Sequence, residues 1–413
     1  MTPLTLLIII TIIIIASFIA EQLLALLNYS RMSYPIPDLL RDVYEEDRYR
    51  KSQDYHQANF VFSVVKDSLS TLIILAMLWF GGFAYIDSFV IAFTGNAIWQ
   101  GLAFFGLLGL ASSLLSLPFD VYHTFVIEEK FGFNRTTLVT FIKDLLKGWL
   151  LAILFGGGIL GAIIALYKAT GPNFWFIAWA MVTGFMLLLT YFYSSLIVPL
   201  FNKQKPLEQG PLREAIEVFA QKTDFNLSGI FVIDGSKRST KANAYFSGFG
   251  RRKRIVLYDT LISDHSTEEL VAILAHEIGH YKYHHTLKGM VAGIFQTGVM
   301  LGLFSLIAGN PLLSEALGVA HPAFHLALMT FALLYSPVSQ VTGLIMNIFS
   351  RKHEYQADAF AATNYNTEHL ITALKKLSKS NLSNLTPHPA YVFVNYSHPP
   401  LLKRLEALVR LSH

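Results

Sequence analysis

The sequence contains no cysteine and few charged residues. Without cysteine the protein forms no disulfide bond, and any metal site must be built from His, Asp and Glu. Charged residues make up 15% of the chain, whereas ordinary soluble domains carry about 25%. The formal net charge of +4 is mild. A nucleic-acid-binding protein would show a concentrated basic face, so we expect no nucleic-acid partner.

Long apolar runs take the place of the missing charges. Hydrophobic residues make up 53% of the chain, and about 20 consecutive apolar residues are enough to cross a bilayer. The first run has no basic segment before it and no clear cleavage site, so we interpret it as a retained span rather than a signal peptide. We predict about seven transmembrane helices, near residues 4–27, 69–89, 98–119, 145–167, 174–200, 289–308 and 324–349.

Lysine and arginine are concentrated in alternate loops between these spans. The basic loops are 31–66, 130–147, 203–288 and 351 onward, and the loops between them are nearly free of basic residues. Because basic loops stay in the cytosol, this alternation places the N-terminus outside and the two long polar segments inside. We therefore predict a mainly α, polytopic membrane protein with a small α+β domain on the cytosolic side. Its predicted parts are helices 1–5 with their loops (1–201), the α+β domain (202–286), helices 6–7 (287–349) and a helical C-terminal segment (350–413).

The α+β domain has recognisable elements. Residues 211–222 show a helical apolar face, residues 230–233 form a short strand, and residues 243–258 are predicted to form a hairpin turning at 250–252. Ser266 and Glu269 have the spacing of a capping box, which predicts that a helix begins there.

This last helix carries the pattern His-Glu-x-x-His at His276, Glu277 and His280. Residues four apart lie on one helical face, so both imidazoles can bind one metal ion from the same side. Glu277 can then reach a water molecule on that metal. The pattern is typical of zinc peptidases, in which zinc acidifies the attacking water and a glutamate moves its proton.

A catalytic zinc ion needs a third protein ligand and one open position. The residue six places beyond His280 is Thr286, which excludes a third histidine at that spacing. The best candidate is Glu354, and Asp358 shares its helical face one turn later. We predict that Glu354 completes the ligand set of one Zn²⁺ ion and that Asp358 holds one of the histidine ligands from behind.

Three other histidines lie near these motifs in the sequence. His284 and His285 follow the zinc-motif helix directly, and His353 precedes Glu354. We interpret His284 and His285 as surface residues at the membrane boundary, and His353 as a residue without a part in the site.

Several longer stretches resemble the type I CAAX prenyl proteases, which are integral-membrane zinc peptidases of the gluzincin kind. The similarity spans nearly the whole chain. Besides the zinc motif it is carried by residues 125–134 (FVIEEKFGFN), 243–250, 254–260, 350–361 and 397–405. The resemblance implies that His276, His280 and Glu354 are the zinc ligands and that Glu277 is the general base.

The resemblance also implies how substrate is bound. The strand edge at Asn243 and Ala244 would hold the substrate backbone by strand addition. His398 would lie near the zinc and help bind substrate or the oxyanion; its alternative is a structural role before Pro399 and Pro400. Arg404 would support the same substrate-binding region. Members of this family enclose a large chamber between seven membrane helices, with the zinc site at its cytosolic end.

We therefore expect a membrane zinc metalloendopeptidase of the CAAX prenyl protease type. It would cleave peptide bonds near the C-terminus of prenylated or hydrophobic membrane-associated substrates, and its other partner would be the lipid bilayer. One alternative is a membrane quality-control protease of the HtpX type, which the prediction of seven rather than four spans disfavours. Another is a transporter or receptor with a structural zinc, but such a site needs four protein ligands and the sequence shows no fourth. The chain shows no dibasic retrieval signal at its end, which favours a bacterial inner membrane over the endoplasmic reticulum.

Overall fold

Helices dominate the computed structural model, which describes residues 1–247 and 254–411. The first half holds α1 (Pro3–Ser30), α2 (Glu46–Trp79), α3 (Gly82–Phe93), α4 (Ala97–Tyr122), α5 (Leu138–Leu151), α6 (Gly158–Thr170), α7 (Phe174–Phe192) and α8 (Val198–Phe201). Helices α4, α5 and α7 are extended by π-helical turns at His123–Glu128, Ala152–Gly157 and Tyr193–Ile197.

The second half adds the sheet and the remaining helices. Its helices are α9 (Pro211–Lys222), α10 (Asp259–Asp264), α11 (Thr267–Lys282), α12 (His285–Ile307), α13 (Leu312–Glu315), α14 (Phe324–Asn364), α15 (Thr367–Ser380), α16 (Pro389–Asn395) and α17 (Leu401–Leu411). Its strands are β1 (Gln204–Pro206), β2 (Gly229–Ile233), β3 (Ala244–Ser247) and β4 (Arg254–Tyr258).

Six helical segments within the described residues are long and apolar enough to cross a membrane. One of them, Leu138–Phe201, has 64 residues. As a straight helix it would be ~96 Å long, about three times the ~30 Å hydrocarbon thickness. It turns back at Gly171, whose φ of 57° suits glycine, and Pro172 follows. Since α6 packs against α7 across this turn, this one segment contains both the fourth and the fifth predicted spans.

The second predicted span, residues 69–89, has the wrong bounds. The helix begins at Glu46 and ends at Trp79, and Gly81 then turns the chain with a φ of 72° into the 12-residue α3. Hydropathy missed the first part of α2 because it is polar. Its buried face, which includes Ser52 and Tyr55, packs against the core of the α+β domain rather than against lipid.

Two hydrophobic cores lie at opposite ends of the spanning helices. Helix α14 joins them: Leu326 belongs to one core and Ala361 to the other, a separation of about 50 Å along the helix. Between them the spanning helices leave large apolar side chains exposed, such as Phe295 at 70% and Leu306 at 80%. Exposed apolar surface on this scale is the surface of a membrane protein.

The described strands form one sheet in the order β1-β2-β4-β3. Strand β2 is parallel to β4, whereas β1 and β3 run antiparallel to their neighbours. The helix at 211–222 and the strand at 230–233 were predicted, but the three-residue β1 was not. The predicted hairpin is formed by β3 and β4, and its turn at 250–252 lies outside the described residues. Because β3 ends the strand order, its outer edge is available for pairing.

Candidate metal centre

The zinc-motif helix begins as the sequence predicts. Ser266 Oγ accepts a hydrogen bond from the Glu269 amide at 3.3 Å, and Glu269 Oε2 accepts one from the Ser266 amide at 2.9 Å, which completes the capping box. Helix α11 then packs closely on α14 at Gly279. A Cβ atom added there would lie 3.0 Å from Ala357 Cα. This close approach brings the motif face of α11 against the part of α14 that carries Glu354.

Three predicted ligands converge between these two helices. His276 Nε2 lies 3.1 Å from His280 Nε2, and His280 Nε2 lies 3.2 Å from Glu354 Oε1. His276 Nε2 is 3.5 Å from Glu354 Oε2. Ligand atoms on a tetrahedral zinc ion at about 2.1 Å stand about 3.4 Å apart. The spacing of all three side chains therefore fits one such ion.

Two features show that the cluster is suited to a cation. Glu354 Oε2 is buried and makes no hydrogen bond within the described residues, although a buried carboxylate oxygen normally has a partner. Burial opposes a charge on His276, but the neighbouring carboxylates of Asp358 and Glu354 outweigh it and raise the pKa of His276 to about 9. The carboxylates thus hold positive charge at the ring nitrogens, where a metal ion would bind.

Asp358 and Arg404 lie behind the ligands. Asp358 Oδ1 lies 2.8 Å from His276 Nδ1 and accepts a hydrogen bond from it. This is the ring nitrogen that faces away from Glu354. Arg404 donates to both oxygens of Asp358, at 2.6 and 2.8 Å, and its Nη1 lies 3.5 Å from Glu354 Oε2. Arg404, which was expected to support substrate binding, therefore holds the carboxylates of this site.

The interpretation of His285 as a surface residue is wrong. His285 is 6% exposed, its Nδ1 lies 3.0 Å from His280 Nδ1, and its Nε2 lies 2.9 Å from Gln356 Oε1. His353, which was set aside, stacks on the His285 ring at a centroid distance of 3.9 Å. Only His284 is exposed, as expected. Its φ of 56° turns the chain after α11 and folds His285 back under His280, which no periodicity in the sequence could show.

The ligands line a cleft of about 440 Å³. Glu277 faces this cleft, and the same cleft is bordered by Asn243 and Ala244 at the start of β3. His398 borders it with a side chain that is 64% exposed, and its Nε2 lies 3.3 Å from Glu354 Oε1. The structure therefore brings the predicted base, the predicted substrate edge and His398 to one opening beside the ligands.

Spanning helices and a His-Glu-x-x-His motif whose two histidines meet a glutamate from a second helix define a membrane metallopeptidase. Residues 25–203 match the family model described as the CAAX prenyl protease N-terminal domain with five membrane helices, and residues 206–412 match that of peptidase family M48. The chain belongs to the CAAX prenyl protease family of M48 metallopeptidases.

Curated relatives and a solved structure are similar over nearly the whole chain. The CAAX prenyl protease 1 homolog of Oryza sativa subsp. japonica is 36% identical over 403 residues, 95% of each chain. CAAX prenyl protease 1 of Saccharomyces cerevisiae is 34% identical over 96% of this chain and 94% of the relative. The crystal structure of S. mikatae Ste24p superposes with a TM-score of 0.93 at 34% identity, covering 98% of this chain and 99% of that one.

Proposed function

We propose that this membrane metalloprotease is a zinc endopeptidase that cleaves near the C-terminus of prenylated, membrane-anchored peptides. The observation that carries the proposal is the cluster of His276, His280 and Glu354, which opens onto a cleft bordered by Glu277 and a free strand edge. The relatives' names as CAAX prenyl proteases support the substrate class.

The proposed mechanism assigns the proton transfers to Glu277. His276, His280 and Glu354 would hold the ion; when bound, zinc acidifies a water molecule towards a pKa of about 7 and polarises the peptide carbonyl. Glu277 receives the proton of the attacking water and passes it to the leaving amine. His398 donates from its exposed ring to the carbonyl oxygen as negative charge develops there.

The cleft also explains how a peptide would be oriented. A substrate strand added at Asn243 and Ala244 would exchange backbone hydrogen bonds with the edge of β3. Such pairing places the scissile bond by backbone position and tolerates different side chains. From the basic loops we further propose that this cleft faces the cytosol, where the C-terminus of a prenylated protein is accessible.

Replacement of Glu277 by Gln tests the proposal. We expect zinc content to be retained and cleavage of a prenylated test peptide to fall by about 10² to 10⁴-fold, since the proton acceptor is lost. Mass spectrometry of the fragments from a prenylated peptide and its unprenylated twin would give both the cleavage site and the preference for the lipid.

Glu268→Gln is the matched control, because Glu268 is an exposed glutamate in the first turn of the same helix. It should leave the cleavage rate unchanged. The mechanism is wrong if Glu277→Gln still cleaves the peptide, and the substrate class is wrong if both peptides are cleaved equally well.

A further inference from the structure

Residues 238–242, which lead into the proposed substrate-binding edge at Asn243 and Ala244, are hydrogen-bonded to the first half of the chain, which holds helices α1 to α8. The Arg135 amide donates to Arg238 O at 3.0 Å, and the Thr240 amide donates to Phe133 O at 3.0 Å. Thr240 Oγ1 also donates to Gly132 O at 3.1 Å. These bonds join residues 238–240 to residues 132–135. The 125–134 stretch, to which most of these residues belong, has no role in the proposed chemistry.

Lys241, the next residue, makes a half-buried ion pair with that same stretch. Its Nζ lies 2.9 Å from Glu128 Oε2 and 3.0 Å from Tyr55 Oη, and Tyr55 donates to Glu128 Oε1 at 2.6 Å. The Glu128 side chain is only 13% exposed. An ion pair of this kind is stable when further hydrogen bonds satisfy its atoms, as Tyr55 does here, and the loss of Lys241 would leave the carboxylate of Glu128 mostly buried without its cation. The cluster joins α2, the π-helical turn after α4 and the approach to β3.

The backbone on either side of Ala242 is held as well. Thr260 Oγ1 donates to Lys241 O at 3.0 Å. The Ala242 amide donates to Asn381 Oδ1 at 3.2 Å, and Asn381 Nδ2 donates to Ala242 O at 3.5 Å. Asn243 O in turn accepts from the Tyr258 amide at 3.1 Å. Lys241 and Asn243 therefore belong to one short hydrogen-bonded segment, and the Lys241 side chain ties that segment to α2 and to the π-helical turn after α4.

We propose that Lys241, held by Glu128 and Tyr55, is a positioning residue that fixes the substrate-accepting edge at Asn243 and Ala244 relative to the membrane helices. This inference rests on the proposed function. A lipid-anchored peptide enters from a fixed depth in the bilayer, so the edge that receives it must stand at a fixed distance from the spanning helices. Strand pairing is sensitive to a change in this distance, because a slip of one residue in the pairing turns every substrate side chain to the opposite face.

Steady-state kinetics of Lys241→Met with a prenylated peptide test the inference. We expect KM to rise roughly tenfold while kcat changes less than about threefold, the pattern of lost binding with intact chemistry. Zinc content should equal that of the unchanged protein. Lys66→Met is the matched control: Lys66 pairs with Asp120 at 3.3 Å and joins the same helices α2 and α4, and among the described residues its side chain has no hydrogen bond or ion pair to 238–242. It should leave KM unchanged.

A double-mutant cycle and a binding measurement separate positioning from simple stability. Glu128→Gln combined with Lys241→Met should raise KM no further than the worse single variant, because both act through one pair. In a Glu277→Gln background, where peptide is bound but not cleaved, Lys241→Met should weaken peptide binding by about the same factor as KM.

The outcomes distinguish this inference from the proposed function. If Lys241→Met lowers kcat or thermal stability while KM and peptide affinity stay unchanged, the cluster is only structural and the inference is overturned. If the unchanged protein cleaves no prenylated peptide and binds none, the proposed function falls and this inference falls with it.

Discussion

The two histidines proposed as ligands are oriented by chemically different partners. His276 Nδ1 faces the carboxylate of Asp358, whereas His280 Nδ1 faces the imidazole of His285. Because His280 Nε2 faces Glu354, we assign the proton of this imidazole to Nδ1, which then donates a hydrogen bond to His285 Nδ1. His285 then donates from Nε2 to Gln356 Oε1. These tautomers follow from the hydrogen-bond network, and they make His285 part of the metal centre.

Replacement of His285 by Phe should therefore weaken zinc binding. The aromatic ring would still fill the space, but His280 Nδ1 would lose its acceptor. Loss of such a partner typically costs about 10- to 100-fold in metal affinity. Competition with a chromophoric chelator would measure the zinc affinity of each variant. His284→Asn is the control, because His284 is exposed and asparagine tolerates its φ of 56°. Equal zinc affinity in both variants would show that His285 is a packing residue.

The clustering of the proposed ligands could be predicted from the sequence because helical spacing brings them together in pairs. His276 and His280 share a face of one helix, and Glu354 and Asp358 share a face of another. His285 and Lys241 were not accessible for a physical reason. Reaching His285 requires the helix break at His284, and the partners of Lys241 lie more than a hundred residues away in sequence.

At the scale of elements, the site depends on how closely α11 approaches α14. Gly279 is one of the two unspecified positions of the zinc motif, and a side chain there would meet Ala357 Cα at 3.0 Å and Phe360 Cβ at 3.1 Å. Backbone atoms cannot move aside as a flexible side chain can. The glycine therefore sets the distance between His276 on one helix and Glu354 on the other.

Replacement of Gly279 by Ala should push these helices apart. We expect a loss of about 1–3 kcal/mol of stability, as for overpacked cores, together with weaker zinc binding. Gly289→Ala in α12 is the control, since a Cβ there meets nothing within 4 Å. Alanine favours a helix by up to about 1 kcal/mol over glycine. Thermal unfolding with and without a chelator would compare them, and equal melting temperatures for the two variants would refute the packing argument.

The elements themselves were predicted where local pattern dominates. The capping box placed the start of α11, and the apolar face of residues 211–222 gave α9 with its bounds. Hydropathy failed where tertiary packing decides. It missed the polar start of α2, whose buried face packs on the α+β domain, and it missed β1, whose three residues become a strand by pairing with β2. The two spans predicted near 145–167 and 174–200 both lie in the helical segment Leu138–Phe201, on either side of the turn at Gly171.

At the scale of the whole molecule, the core around the metal centre is shared between the two matched family regions. Leu40, Val43, Tyr44 and Phe131 come from the first half, yet they belong to the same core as Ile255, Leu261 and Ala272 of the second. Tyr44 is tied to the second half by hydrogen bonds as well, since its Oη donates to Ser378 O at 2.8 Å and to Ser383 O at 3.1 Å. Burial raises the pKa of Tyr44 to about 12, so the phenol stays protonated and keeps donating.

The second family region should therefore not assemble the metal centre alone. Residues 206–412 expressed without 1–203 would expose the apolar face that Leu40, Val43 and Phe131 cover. Burial of one such side chain is worth about 1.5–3 kcal/mol, so the loss of three is comparable with the stability of a typical domain, about 5–15 kcal/mol. We expect a purified, tagged 206–412 fragment to hold little zinc, and co-expression with 1–203 to restore about one ion per chain, measured by elemental analysis. Because the fragment contains every ligand, zinc bound in full without its partner would show that the site folds independently. Retention of zinc only with the partner would show that the membrane half completes the core of the metalloprotease.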